Sequence, residues 1–382
     1  MLDNGGTMTA TEGTTTDRFS SVRDVLEQHL EGGQDIGASV AVIEKGELVV
    51  DIWGGFVDEA RSVPWSRDTI VNVWSTTKTM TFLVALMLSD RGELDFFAPV
   101  VRYWHEFGAN GKEEIEVRHL LSHTAGLSGW QAPIEPRQIA DWEFSTALLA
   151  AQAPWWEDRT MPRYHALTQG HLIGEVVRRV TGTTIGQYFK TEVADVLGAD
   201  FFIGLPESEE SRVALVIPTA ADDSEGMALD SIEYRTLTSP RIAASLPHER
   251  WWRAAEIPAA NGHGNARSVA TIQQIVANKG HANGHRFFSE ATGELIFQSQ
   301  ARGFDPVLGM DVNIGMGYGL ASPSVPVGPR GCYWGGYGGS VIVIDQELEL
   351  TVAYMMNKML GGLTGDSRGS EIAIAAAVAA MG

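Results

Sequence analysis

The sequence predicts an α+β fold in which one β-sheet is assembled from both ends of the chain, with a mostly helical region inserted between them. Three observations carry this. β-rich runs joined by short turns lie near both termini, short helical patterns with Pro- and Trp-bearing loops fill the middle, and no internal repeat interrupts that order. The 382 residues are 44% hydrophobic and include eleven tryptophans, ample for a sizeable core in one large domain or two.

Taken in order, Met1 to Thr16 is rich in Thr, Gly and Asp and reads as a disordered lead-in. It lacks the basic start and apolar core of a secretory signal. Phe19, Val22, Val25, Leu26 and Leu30 recur with helical spacing until Gly32-Gly33 stops them. Ala38–Ile43 and Leu48–Trp53, flanking Glu44-Lys45-Gly46-Glu47, read as an antiparallel hairpin. A short strand, Thr69–Val73, runs into an apolar helix ended by Gly92. Helical patterns follow at Val117–Leu121, Ile139–Ala151 and His171–Val180, with Trp155-Trp156 and Trp251-Trp252 serving either a pocket wall or the core. Beyond Asn261, helices are expected at Val269–Ala277 and Glu290–Phe297. Strands are expected at Met316–Leu320, Ser340–Asp345 and Leu350–Met356, and Ile372–Ala380 closes the chain as a helix.

Composition excludes several roles. A formal charge of −20 argues against nucleic acid, whose phosphates need clustered Lys and Arg, and against an anionic membrane surface. No stretch approaches eighteen apolar residues, so no membrane span is expected. A single cysteine, Cys332, rules out an intramolecular disulfide and fits a reducing, cytoplasmic location. Ten histidines without a His-Glu-x-x-His pattern, and no Cys cluster, give no metal site. The sequence leaves the oligomeric state open.

Chemistry concentrates at Trp74-Ser75-Thr76-Thr77-Lys78. On a helix, residues three apart share a face with Cβ atoms roughly 5–6 Å apart, so the Ser75 hydroxyl and Lys78 amine can act as nucleophile and proton acceptor. Alone, the pattern is more often that of an ordinary helix start, with Ser75 as the N-cap and Lys78 solvated. Two further segments complete a site: Tyr164 in Pro162–Ala166 supplies a second proton handler, and Tyr333–Ser340 supplies a glycine-rich strand end where a backbone can approach a ligand. Gly126–Trp130 misses the Gly-x-Ser-x-Gly elbow, and Gly335–Gly339 lacks the Gly-Lys-Ser/Thr of a phosphate loop.

With these residues in order, the chain resembles the serine hydrolases of the class C β-lactamase and DD-peptidase type, in particular the family VIII carboxylesterases. The matching motifs are Ser75-Thr76-Thr77-Lys78, Tyr164-His165-Ala166 and Trp334-Gly335-Gly336. Leu120–Leu127, Gly262–Arg267 and Met316–Leu320 support them, and the match spans about residues 19–380. The resemblance implies an antiparallel sheet flanked by helices, with the helical insertion forming the other cleft wall. It implies one catalytic domain over residues 17–382, in which 17–92 and 260–382 form the α/β region and 93–259 the helical region. It also implies Ser75 as nucleophile, with Lys78 and Tyr164 sharing the base, and an oxyanion hole from the N–H groups of Ser75 and Tyr337. A nearby ammonium is expected to lower the Tyr164 pKa, and burial that of Lys78. Trp334, Gly335, Gly336 and His165 are expected at the substrate.

Two departures bear on substrate. Lactamases and peptidases of this type present a lysine where this chain has Trp334, and an asparagine where it has Ala166. Both changes remove polar recognition of a β-lactam or peptide, which points to a neutral, hydrophobic ester of short or medium acyl length. The expected partner is therefore a small-molecule ester, with no cofactor. A β-lactamase, amidase, peptidase or acyltransferase on the same scaffold is the alternative, and a non-catalytic binding module a further one.

Overall fold

A computed structural model describes residues 11–220 and 224–382. Its centre is an antiparallel sheet of nine strands: β1 (Glu12–Thr15), β2 (Gly37–Glu44), β3 (Glu47–Gly55), β4 (Ala301–Asp305), β5 (Met310–Ile314), β6 (Gly319–Leu320), β7 (Gly331–Gly335), β8 (Val341–Asp345) and β9 (Leu350–Met356). The order across the sheet is β1-β3-β2-β9-β8-β7-β6-β5-β4, so strands from the two ends of the chain meet at β2 and β9. Tyr354 there lies opposite Val40. The β2–β3 hairpin closes over Lys45 and Gly46, both at positive φ, the geometry that matches the twist of the flanking strands.

Helices cover both faces. α1 (Ser20–Glu31) and the C-terminal α5 (Ser367–Met381) pack together on one, and α4 (Ala266–Ala277) lies against β2, β8 and β9 on the other. Alternate residues divide accordingly: Tyr354 reaches Asp35 on the α5 side, while Ser39 Oγ accepts the N–H of Ala266 on the α4 side. Every residue of β2 is therefore buried, which explains its unbroken apolar run. α2 (Lys78–Asp90) shows no polar face because residues 78–88 are buried all round.

A second, smaller sheet positions the chemistry. Ile70–Asn72 pairs with Val213–Ala214 and with His263–Gly264, and the latter also pairs with Phe201–Phe202. This brings Val73 and the start of α2 against residues 259–262. No helix among the described residues is long and apolar enough to cross a membrane.

The structure corrects the expected layout in four places. Residues 12–15, expected in the lead-in, form an edge strand in register with Trp53–Val50; residues 1–10 lie outside the described residues. The helix expected over Ile139–Ala151 is α3 (Trp142–Ala151), which begins where the Asp141 carboxylate accepts the Phe144 N–H and separates it from a 3₁₀ turn at Pro136–Ala140. Of Met316–Leu320, only Gly319 and Leu320 join the sheet, because Gly315–Gly317 turns tightly beforehand. The β4–β5 hairpin was not expected at all.

Candidate active site

The strand Ile70–Asn72 passes through Val73 into a 3₁₀ turn, Trp74–Thr77, that leads without a break into α2. Trp74 takes a positive φ of 47°, sparsely populated for a bulky residue, so the chain bends sharply just before Ser75. Its ring is wedged against Trp252 and Tyr337, with centroids 5.6 and 5.4 Å away. Thr77 Oγ1 ties the turn to the neighbouring segment by accepting the Gly262 N–H at 2.8 Å.

The spacing read from sequence produces a real contact: Lys78 Nζ lies 3.0 Å from Ser75 Oγ. Tyr164 completes a triangle, its Oη 2.9 Å from Nζ and donating to Ser75 Oγ at 2.6 Å. Two backbone carbonyls, Ala166 at 2.7 Å and Ala259 at 2.9 Å, also face Nζ. Lys78 is wholly buried and Tyr164 nearly so. Loss of water around the cation pushes the Lys78 pKa well below its ordinary value. Tyr164 departs from expectation. Burial, with a smaller contribution from the charge of Asp305, pushes the phenol up against the opposing hydrogen bond with Ser75. Both directions favour uncharged partners.

Tyr164 is held from behind. The His165 N–H donates to His123 Nδ1 at 3.0 Å, and the His123 ring sits 5.0 Å from that of Tyr164. Burial depresses both histidines, His165 to about 3, so neither carries charge at neutral pH. The Asp305 carboxylate, at the β4–β5 turn, accepts the backbone N–H groups of Val307, Leu308 and Tyr164, and burial pushes its pKa up to about 7.

The third segment approaches from β7. Ser340 Oγ donates to the Val73 carbonyl at 2.8 Å and lies 3.0 Å from Thr76 Oγ1, so the turn after β7 is bonded to both sides of Ser75. The Gly336 carbonyl accepts the Gly365 N–H at 3.0 Å. In a planar trans peptide the N–H points opposite to the C=O, so that of Tyr337 points away from Gly365. Tyr337 lines a cavity of about 410 Å³ that opens over Ser75 and Tyr164. Its walls are largely apolar, among them Leu167, Leu237, Ile242, Ala244 and Leu363, with Ser224, Thr236 and Arg241 as polar members.

Ser75, Lys78, Tyr164 and Tyr337 thus come together. Four other residues expected at the substrate do not line the cavity. Trp334 is 1% exposed; its ring stacks on His123 at 5.5 Å and lies 5.9 Å from Tyr164, so it backs the tyrosine. Gly335 and Gly336 permit close approach of the protein to itself: a Cβ would stand 2.4 Å from Thr364 and 2.3 Å from Ser340 Oγ, respectively. His165 is buried, its Nε2 accepting the Leu127 N–H and its Nδ1 donating to the Arg163 carbonyl. Trp155 and Trp156 likewise lie outside the lining, Trp155 beneath the Arg235 guanidinium and Trp156 against His165.

Sequence reasoning missed Ser340, Asp305, the carbonyls of Ala166 and Ala259, and the wall at 219–220 and 224–244. Ser340 closes the Gly-Gly-Tyr-Gly-Gly-Ser run and was within reach of a motif reading. Backbone carbonyls leave no residue-type signal.

The family model described as Beta-lactamase matches residues 22–377. The esterase/beta-lactamase LipL of Mycobacterium tuberculosis (strain ATCC 25618 / H37Rv) is 34% identical over 367 residues, covering 92% of this chain and 84% of that protein. The crystal structure of a family VIII carboxylesterase superimposes with a TM-score of 0.90 at 38% identity, covering 97% of this chain and 99% of the other. A penicillin-binding protein homologue from Caulobacter crescentus superimposes with a TM-score of 0.88 at 35% identity, over 97% and 99%.

Proposed function

The chain belongs to the beta-lactamase family of serine hydrolases, and from that premise we propose that it is a carboxylesterase cleaving short- to medium-chain, neutral, hydrophobic esters through an acyl-Ser75 intermediate. The observation that carries this reading is the closed triangle of Ser75, Lys78 and Tyr164, every edge 3.0 Å or less, at the floor of a mostly apolar cavity. Residues 17–382 act as one catalytic unit in this reading.

The hydrogen-bond inventory supports a division of labour. A neutral lysine amine has two N–H groups and one lone pair. The carbonyls of Ala166 and Ala259 take the two N–H groups, leaving the lone pair toward the hydroxyls of Ser75 and Tyr164. Lys78 then accepts the Ser75 proton as Oγ attacks the ester carbonyl. The carbonyl oxygen gains its negative charge between the N–H groups of Ser75 and Tyr337. Collapse breaks the bond to the alkoxide, which takes a proton from Tyr164, and the phenolate is restored from the Lys78 ammonium 2.9 Å away. Water repeats the sequence on the acyl-enzyme and releases the acid.

Esters fit better than amides for two reasons. Ala166 offers no side-chain amide to a peptide or β-lactam, and an ester leaves with less help than an amine. Two of the relatives carry esterase or carboxylesterase in their descriptions. The double description of LipL favours slow β-lactam hydrolysis as a second reading. A panel of p-nitrophenyl esters run beside nitrocefin separates the two. Ser75→Ala should abolish ester hydrolysis and the acyl adduct seen on Ser75 by intact-protein mass spectrometry; retained hydrolysis would sink the proposal.

A further inference from the structure

The mechanism above makes no use of a fully buried arginine near the site. Arg368, in the first turn of α5, is 0% exposed. Its Nη1 donates to Asp35 Oδ1 at 2.6 Å and to the carbonyls of Gln34 and Lys358 at 3.1 and 3.0 Å. Its Nη2 donates to Asp366 Oδ2 at 2.6 Å and to the Gly338 carbonyl at 2.8 Å, and its Nε reaches Asp366 at 3.2 Å. Tyr354 and His29 complete the surroundings, Tyr354 donating to Asp35 at 2.8 Å and His29 Nδ1 standing 3.8 Å from it.

Buried ion pairs are often matched in stability by well-packed apolar residues, because desolvation offsets the attraction. A guanidinium here does something a hydrocarbon cannot: it grips a carbonyl in the turn that carries Tyr337. The fit leaves no slack. Gly339 has φ +141°, and a Cβ there would stand 2.4 Å from Nη2. Gly365, which holds the Gly336 carbonyl, directly precedes Asp366, so the start of α5 and the turn after β7 are bonded at two points. The peptide unit whose N–H belongs to Tyr337 carries the first of these bonds on its Gly336 carbonyl, and the Gly338 carbonyl gripped by Arg368 lies two peptide units further along the same turn.

We infer that Arg368 is a positioning residue of the oxyanion site. Clamped between Asp35 and Asp366, it fixes the Gly336–Gly339 turn and thereby the aim of the Tyr337 N–H at the ester carbonyl oxygen. The inference rests on the carboxylesterase reading. It requires the fork of donors that lysine lacks, so lysine is not a conservative replacement.

The test compares wild type with Arg368→Lys and Asp366→Asn, the latter keeping side-chain volume and a capping oxygen if the arginine variant folds poorly. Active sites are counted by intact-protein mass after labelling with a fluorophosphonate to completion, so that misfolded protein drops out of the rate. Per labelled site, kcat for p-nitrophenyl butyrate should fall about 10- to 100-fold with KM within about threefold, since a displaced oxyanion donor acts only on the transition state. Affinity for an alkylboronic acid, whose tetrahedral serine adduct places an oxygen in the same hole, should fall in parallel. If the labelled fraction of either variant turns over within threefold of wild type, or loses KM and not kcat, or keeps its boronate affinity, the inference is overturned and Arg368 only holds the fold together. Failure of the underlying reading looks different: wild type would not label at Ser75.

Discussion

The floor and the wall of the cleft are built by opposite means. At the floor, Ser75, Lys78 and Tyr164 are 7%, 0% and 1% exposed and come from two segments locked by hydrogen bonds to Ala166, Ala259, Ser340 and His123. The wall contributed by residues 219–220 and 224–244 is half-buried or exposed at Thr219, Leu237, Ile242 and Ala243, with one short helix, Ile232–Thr238, among the described residues. The difference separates two functions. Proton transfer demands that three polar atoms stay within hydrogen-bond reach, and only a packed floor supplies that. Substrate choice needs shape and apolar area, which a looser wall provides and can change without touching the chemistry.

Changes at the floor should therefore be catastrophic and those at the wall graded. Lys78→Ala and Tyr164→Phe should each lower kcat for p-nitrophenyl acetate by roughly 10³-fold or more, because release of the acid requires both and residues that act as a unit lose most of their effect together. Steady-state kinetics with purified variants would show it, and a loss under tenfold in either would break the distinction. At the wall, Ala244→Phe fills part of the cavity. It should lower kcat/KM for hexanoate and octanoate esters by about 10- to 100-fold while leaving acetate within a few-fold, the range that pocket contacts with a few methylenes command. An equal loss across chain lengths would mean that Ala244 does not face the acyl group.

The smallest effect is on stability, and it comes from behind the floor. The Asp305 pKa rises from an ordinary 3.8 to about 7 on folding. Between these values the native state binds more protons than the unfolded chain, so stability is full below about pH 4 and declines as pH rises toward 7. A shift of this size corresponds to at most about 4 kcal/mol. Asp305→Asn keeps an acceptor for the neighbouring N–H groups without the charge. Its Tm should match wild type near pH 4 and exceed it by a few °C at pH 8; a difference independent of pH would show that the carboxyl is not the titrating group.

The same division governed how much could be read from sequence. Ser75, Lys78 and Tyr164 were legible because helix geometry fixes one spacing and the ordered motifs fix the other. The central hairpin β2–β3 and strands β8 and β9 were legible because two covered faces leave long apolar runs. β1 was not, since an exposed edge strand of Glu, Gly and Thr carries no hydrophobic alternation. The β4–β5 hairpin hid for a similar reason: Arg302, Gly303 and Phe304 are exposed or half-buried, and Gly303 breaks the pattern. The sequence reads Trp334 as part of a glycine-rich segment leading into a strand and assigns it to the cleft mouth, whereas it lies within β7 and faces away from the cavity. Sequence shows which residues alternate along a strand, and tertiary packing decides that this one fills the space behind Tyr164. The tyrosine was also misjudged electrostatically, because its degree of burial is a property of the assembled fold.

The central claim is that a desolvated, neutral Lys78 takes the proton from Ser75. The pH dependence of the pre-steady-state acylation rate of Ser75 with a p-nitrophenyl ester, followed from pH 5 to 10.5, tests it most directly. The amine is the active form and its pKa lies well below the ordinary lysine value, so the rate should rise with pH through that depressed value and then level off. The rising limb should disappear in Lys78→Ala. A rate that keeps climbing to pH 10.5, with the midpoint of an ordinary lysine or phenol, would contradict the account.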